Sequence, residues 1–551
     1  MNRFFSAALL LSFPLAPAQA QQTKPERTGY RETSSHADVI AFLGELQARA
    51  GNRVWVGSMG RTTQGRALPY VIASRPLVTT PAQAKRLRRP VVFVQGNIHG
   101  GEVEGKEALQ ALLRDLVLAP GPNVLDSVVL IALPVYNADG NDDFGPQRQR
   151  RGSQQGPELV GTRANSQGLN LNRDYIKADA PETRASLAAF NAWDPDIFVD
   201  LHTSNGSAHG YALTYSPSLH PAGDLPDATF GASYARDSML PVIRTRMRER
   251  HQFETFDYGN FSGGGGGRGG RGGGMTDTMP QAWRTYEHVP RFGTNYYALR
   301  GRIAILSEAY SHDPFERRVK SSYAFVTEIL SFAAERSASI LALAERSDRN
   351  LVSGQLTDVP VRARMTTTPI RVPVLHEIVV ATGDTLVTEV GFSRGLRRTG
   401  RIKSTVMNVH DRFEATRSVR APAAYVLPPS SDSVVKMLRL HGVVVERLRA
   451  AWTGSAEAFT VDSLLRGRPF EGHPITRLEG RWRTFSATAP EGSFLVRTTQ
   501  PLGVLAVILL EPECDDGLAT WGSLDALLAV GRDYPVLRVR APVTVPAWIV
   551  P

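Results

Sequence analysis

Val91-Val92-Phe93-Val94, followed closely by Asn97-Ile98-His99-Gly100-Gly101-Glu102, is the stretch on which the fold turns. Four consecutive apolar residues read as a strand buried on both faces. The glycine pair behind it lets the backbone bend tightly into a helix. Leu109, Leu112, Leu113 and Leu116 then recur at i, i+3, i+4 and i+7, and that helix ends before Pro120-Gly121-Pro122. Three more apolar runs follow: Val128 to Val135, Ile197-Phe198-Val199 and Ile303-Ala304-Ile305-Leu306. They alternate with helix-like stretches as far as residue 345. Alternation of this kind predicts an α/β fold, a mostly parallel mixed sheet with helices on both faces.

Working outward, 551 residues are too many for one ordinary domain and imply two or three. The 42% of hydrophobic residues is enough to build cores and too much for a disordered chain. Residues 1–20 read as a signal peptide: Arg3 is a short positive region, Phe4 to Leu15 an apolar run too short to span a bilayer, and Ala18-Gln19-Ala20 a small-x-small cleavage site. The expected product is secreted or periplasmic and has no stable membrane span. Residues 21–345 are expected to form the catalytic domain. Residues 346–551 read as a mostly β accessory region of one or two domains, from short runs such as Ile378-Val379-Val380, Phe494-Leu495-Val496 and Val504 to Leu510, with a possible helix at Val434 to Leu448. The Gly- and Arg-rich stretch 262–274 reads as a flexible surface loop. A single cysteine, Cys514, excludes an intrachain disulfide, and its neighbours Glu513, Asp515 and Asp516 raise a thiol pKa, so it is no nucleophile.

The formal charge of +10 bears on association and not on chemistry. Lys and Arg are scattered, with no basic stripe interleaved with aromatics, which argues against nucleic acid as a partner. No Gly-x-x-x-x-Gly-Lys-Ser/Thr (Gly100 to Lys106 is followed by Glu107) and no strand-linked Gly-x-Gly-x-x-Gly is present, which removes NTPase and dehydrogenase readings. What remains is a metal-site pattern. His99 and Glu102, three apart at a strand-to-helix turn, can both face one ion. His202, in Asp200-Leu201-His202-Thr203, follows another apolar run, and ligands gather beyond the carboxyl ends of strands in open parallel sheets. Glu308 ends a third such run, where a carboxylate is costly to bury without a partner or a task. Arg300 or Arg302 could pair with it. Glu316 and Glu287, in polar surroundings, are weaker candidates for a base. Arg173, in Asn170-Leu171-Asn172-Arg173, can grip a carboxylate with two parallel hydrogen bonds.

The ordered set His99-x-x-Glu102, Tyr136-Asn137-Ala138-Asp139-Gly140, Asn172-Arg173, His202 and Glu308 resembles the zinc metallocarboxypeptidase family, the carboxypeptidase A-like peptidases, over residues 30–345. The resemblance implies one Zn²⁺ held by His99, Glu102 and His202, with Glu308 as general base. It implies that Asn172 and Arg173 bind the substrate's terminal carboxylate. It places an oxyanion-stabilising arginine at Arg151, with Arg148, Arg150 and Arg163 as competitors, and an active-site tyrosine at Tyr296, with Tyr297 and Tyr286 open. The expected substrate is a peptide with a free C-terminal carboxylate. A zinc amidase or deacylase on acyl-amino acids or cell-wall peptides is the alternative; an inactive scaffold is disfavoured because all four metal and base residues are present. Two positions depart from the family pattern. Asn170 stands where an Asp usually accepts the ring N–H of a zinc-bound His, and Ala138 replaces a usual proline.

Overall fold

The computed structural model describes residues 21–226, 228–262, 282–390 and 394–551. The leader at 1–20 and nearly all of the Gly- and Arg-rich stretch lie outside them. Eight strands form the principal sheet: β1 (Val54–Arg61), β2 (Ala67–Ala73), β3 (Val91–Gly96), β4 (Val129–Leu133), β5 (Ile197–Thr203), β6 (Leu213–Pro217), β7 (Thr255–Asp257) and β8 (Ile303–Ala309). Their order is β1-β2-β4-β3-β5-β8-β6-β7. The central four, β4-β3-β5-β8, run parallel. The flanking β1-β2-β4 and β8-β6 pairings are antiparallel, so the sheet is mixed, as expected.

Side chains of the central strands divide between two cores. Val92, Val94, Ile197 and Val199 belong to one apolar cluster, with the helices Glu104–Leu118 and Phe315–Glu335. Val91, Phe93 and Phe198 belong to the other, with Phe190 and Trp193 of the helix Pro181–Trp193. Period-two alternation with both faces covered is why these strands read as continuous apolar runs. The register aligns their ends: Gln95 pairs with Asp200, Gly96 with Leu201, and Glu308 with His202. Whatever follows these residues therefore meets at one edge of the sheet.

The C-terminal region departs from expectation in two ways. Val504 to Leu510, anticipated as a β run, is the helix Gly503–Leu510, with every residue fully buried. A run apolar on all sides carries no periodicity, and here the surrounding core takes it as a helix. The boundary expected between 345 and 346 falls inside the helix Ser337–Val352, and the core does not stop there. Tyr425, Leu427, Leu438, Phe494 and Val507 share one apolar cluster with Phe93, Phe190 and Phe198. The region is otherwise mostly β, with a seven-stranded sheet carrying the long hairpin Trp452–Phe470/His473–Ala489. The hairpin Ile370–Ala381/Leu396–His410 joins Ala282–Arg284 in a second sheet. Cys514 is buried, which pushes its thiol upward. Among the described residues no helix is long and apolar enough to cross a membrane.

Candidate metal centre

The turn after β3 is made by Asn97, which takes the left-handed conformation at φ 62°. Its Nδ2 donates to the carbonyls of His99, Gly100 and Glu102 at 3.0–3.2 Å and fixes the loop in one shape. The glycines serve close approach: a Cβ on Gly100 would lie 2.3 Å from the backbone of Gly140, and one on Gly101 2.7 Å from the carbonyl of Gly161. His99 and Glu102 thereby face His202 from β5. His99 Nδ1 lies 3.0 Å from Glu102 Oε1, and His202 Nδ1 lies 3.0 Å from Glu102 Oε2 and 3.3 Å from His99 Nδ1. All three residues are buried.

This donor set fits zinc. Two imidazole nitrogens and a carboxylate converge from a dry wall, the three-ligand arrangement of a catalytic zinc site with its fourth position open. The outward nitrogens are held as well. His202 Nε2 meets Asp200 Oδ2 at 2.9 Å, and His99 Nε2 meets Asn170 Oδ1 at 3.1 Å. Such partners fix the ring so that Nδ1 points inward. The electrostatics divide the two imidazoles: burial opposes a charged His202, but Asp200 and Glu102 overcome it and hold that ring well above the usual imidazole range. Burial and the charge of Arg163 push His99 down to about 3, which leaves it neutral. Burial works against an ionised Glu102, but the charge of Arg151 and the hydrogen bond from His202 hold it well below the usual carboxylate range.

Glu308 stands opposite His202 on β8. Burial, reinforced by the charge of Glu102 and opposed by His202, Arg151 and Arg163, pushes its carboxyl up to about 8. Neither expected rival claims it. Arg302 pairs with Asp194 and Asp348, and Arg300 donates to the His441 carbonyl. Arg151 and Arg163 both reach the centre. Arg151 Nη1 is 2.9 Å from Glu102 Oε1, and its Nη2 donates to the Thr203 carbonyl at 3.1 Å. Arg163 Nη1 is 3.3 Å from the same oxygen and 3.2 Å from His99 Nδ1, with a side chain 45% exposed. Arg150 pairs instead with Asp143.

Asn172 and Arg173 follow Asn170 in the same loop. Asn172 Nδ2 lies 3.3 Å from His202 Nε2, and its Oδ1 accepts from the Gly293 N–H at 3.0 Å. The Arg173 guanidinium lies 3.7 Å from the centroid of the Phe292 ring. Burial and the neighbouring Arg163 push it down to about 10, and among the described residues no carboxylate pairs with it. Tyr296 stands elsewhere. It is fully buried with its hydroxyl 2.7 Å from His441 Nδ1, packed between the α/β region and the C-terminal region. Tyr297 is fully buried and stacks on Phe190. Near Glu308 are Tyr286 and Tyr258, whose rings lie 5.7 Å apart; burial and then the charge of Glu308 raise the Tyr258 hydroxyl, and burial, then Tyr258 and Glu308, raise that of Tyr286. Tyr258 was not singled out in the sequence, where it sits in the unremarkable stretch Phe256-Asp257-Tyr258.

Residues 39–252 match the zinc carboxypeptidase family, Peptidase_M14. The chain is 25% identical over 496 residues to Carboxypeptidase 2 of Trichophyton tonsurans, covering 87% of this chain and 82% of that protein. It is 29% identical over 148 residues to Carboxypeptidase Z of Homo sapiens, covering 26% of this chain and 21% of that one. A metallo-carboxypeptidase structure from Burkholderia cenocepacia aligns with a TM-score of 0.36 and 19% identity over 54% of this chain and 69% of that chain.

Proposed function

The chain belongs to the zinc carboxypeptidase family, and from that premise we propose that it is an exported enzyme that removes the C-terminal residue of peptides. The observation that carries this reading is the convergence of His99, Glu102 and His202 with Glu308 on one side and the guanidinium of Arg173 nearby, which no carboxylate among the described residues pairs with. One zinc ion held by the three ligands would supply Lewis acidity and a water of lowered pKa. Glu308 takes the proton of the attacking water and passes it to the leaving amine. Arg163, partly exposed and bound by no backbone carbonyl among the described residues, donates to the developing oxyanion. Arg151, anchored on the Thr203 carbonyl, holds Glu102 in place. Arg173 and Asn172 receive the terminal carboxylate, so that only the last peptide bond reaches the centre. Tyr286 and Tyr258, beside Glu308, take the active-site role expected for Tyr296. Export rests on the leader-like residues 1–20.

A matched pair of peptides, one with a free C-terminus and one amidated, tests the proposal. An amide leaves the buried arginine poorly matched at a cost of about 2–5 kcal/mol, or roughly 30- to several-thousand-fold in kcat/KM. Arg173→Ala should erase most of that gap. Equal kcat/KM for both peptides in the wild type would leave an amidase or endopeptidase on the same centre.

A further inference from the structure

Residues 285–292 lead from the strand Ala282–Arg284 into the helix Gly293–Ala298. The inner side of this segment carries Tyr286 beside Glu308 and Phe292 beneath Arg173, and the following Gly293 N–H holds Asn172 Oδ1. Its outer side is held by the C-terminal region. The Thr285 N–H donates to the His410 carbonyl at 3.0 Å, and the His288 ring packs 4.9 Å from that of Phe413. The strongest tie is Asp516, which is fully buried. Its Oδ2 accepts from the Arg291 N–H at 2.6 Å, its Oδ1 lies 3.1 Å from Arg291 Nε, and Oδ1 also accepts from Trp521 Nε1 at 2.9 Å. The Arg291 guanidinium lies 5.0 Å from the Trp521 ring centroid.

We propose that Asp516 is a positioning residue for substrate binding: by clamping Arg291 it fixes the adjoining Phe292, and through Phe292 the orientation of Arg173. The inference rests on Arg173 as the carboxylate-binding group. Asp516 touches neither the metal ligands nor Glu308, so its effect falls on binding and not on chemistry. A buried carboxylate that spends its oxygens on the backbone and side chain of one residue, with a tryptophan N–H fixing its own position, permits little choice in where that residue sits. Displacement of a positioning group by about 1 Å can cost about a hundredfold.

The test is Asp516→Asn in the full chain. KM for a free-C-terminus peptide should rise about tenfold or more, the free-to-amide preference should shrink, and kcat and zinc content should stay near wild type. Arg291→Met keeps the Arg291 N–H to Asp516 and the packing on Trp521 but loses the ion pair, and should shift KM in the same direction by less. It decides the matter if Asp516→Asn does not accumulate as folded protein. A purely structural role would lower the melting temperature and leave KM and the preference of folded, zinc-loaded protein unchanged, and that result overturns the proposal. If Arg173→Ala fails to alter the free-to-amide preference, the carboxylate reading itself is wrong, whatever Asp516→Asn does.

Discussion

Replacing Asp200 by Asn should loosen the metal more than deleting the side chain of Asn170. The two histidines are built alike, with Nδ1 inward and Nε2 outward, but their outer partners differ. His202 Nε2 meets a buried carboxylate at 2.9 Å, and that carboxylate is fixed in turn by Gln95 Nε2, which donates to its other oxygen at 3.0 Å. His99 Nε2 meets only the neutral carbonyl of Asn170 at 3.1 Å. A hydrogen bond to an ionised group contributes about 1.5–3 kcal/mol, and a neutral one about 0.5–1.5. Asp200→Asn keeps the shape and exchanges the first kind for the second, a loss of about 1–1.5 kcal/mol, or roughly tenfold in zinc affinity. Asn170→Ala removes a bond of the neutral kind and should cost about two- to tenfold. Asn170→Asp brings a stronger partner to His99 but sets it against Glu471, whose carboxylate already accepts the Asn170 N–H at 2.9 Å, so the gain should stay below about tenfold. Competition against a chromophoric zinc chelator at fixed pH measures all three, with circular dichroism confirming the fold. Wild-type zinc affinity in Asp200→Asn, or a larger loss in Asn170→Ala, would refute the reasoning.

Glu308→Gln should keep zinc and fold while losing kcat by at least the roughly 10²–10⁴-fold of a proton-transfer group. In the metal-free protein burial holds Glu308 at about 8, so it carries a proton at neutral pH. A dication at the triad favours its carboxylate, so zinc affinity should rise with pH up to about 8, and Glu308→Gln should flatten that rise in the same chelator competition. Arg163→Ala should lower kcat by about 10²–10³-fold with zinc retained, whereas Arg151→Ala should lower zinc content by releasing Glu102; steady-state kinetics and metal analysis separate the two. A chain ending at Ser353 should aggregate, because it exposes the faces that pack on Tyr425, Leu427, Leu438 and Val507; a soluble, zinc-loaded monomer by gel filtration would contradict this.

The parallel strands were legible because burial on both faces leaves them continuously apolar, as in Val91 to Val94. The edge strand Val54–Arg61 was not, since it is half-exposed and interrupted by Gly57 and Gly60. Val434 to Leu448 was legible only in part: the helix is Asp432–Leu440, and Gly442, at φ 84°, marks where the chain turns toward the strand Glu446–Leu448. The metal triad could be proposed from strand ends alone, since sheet register brings those ends level. The choice between Arg151 and Arg163 could not be made, because it depends on how the loop after β4 folds back over Glu102. Tyr296 was misplaced because it lies in the short helix Gly293–Ala298, where the direction of its hydroxyl, inward to His441, is set by packing and not by spacing. The contacts of Glu471 and Asp516 were invisible in the sequence, since both depend on how the C-terminal region docks against the α/β region.

Metal analysis of purified wild type beside His202→Ala tests the central reading most directly. The expected result is one zinc per wild-type chain, and none retained by a variant whose circular dichroism shows the fold intact. Full zinc occupancy in His202→Ala would mean that the ion is held elsewhere, and the roles given to His99, Glu102 and Glu308 would fall with it.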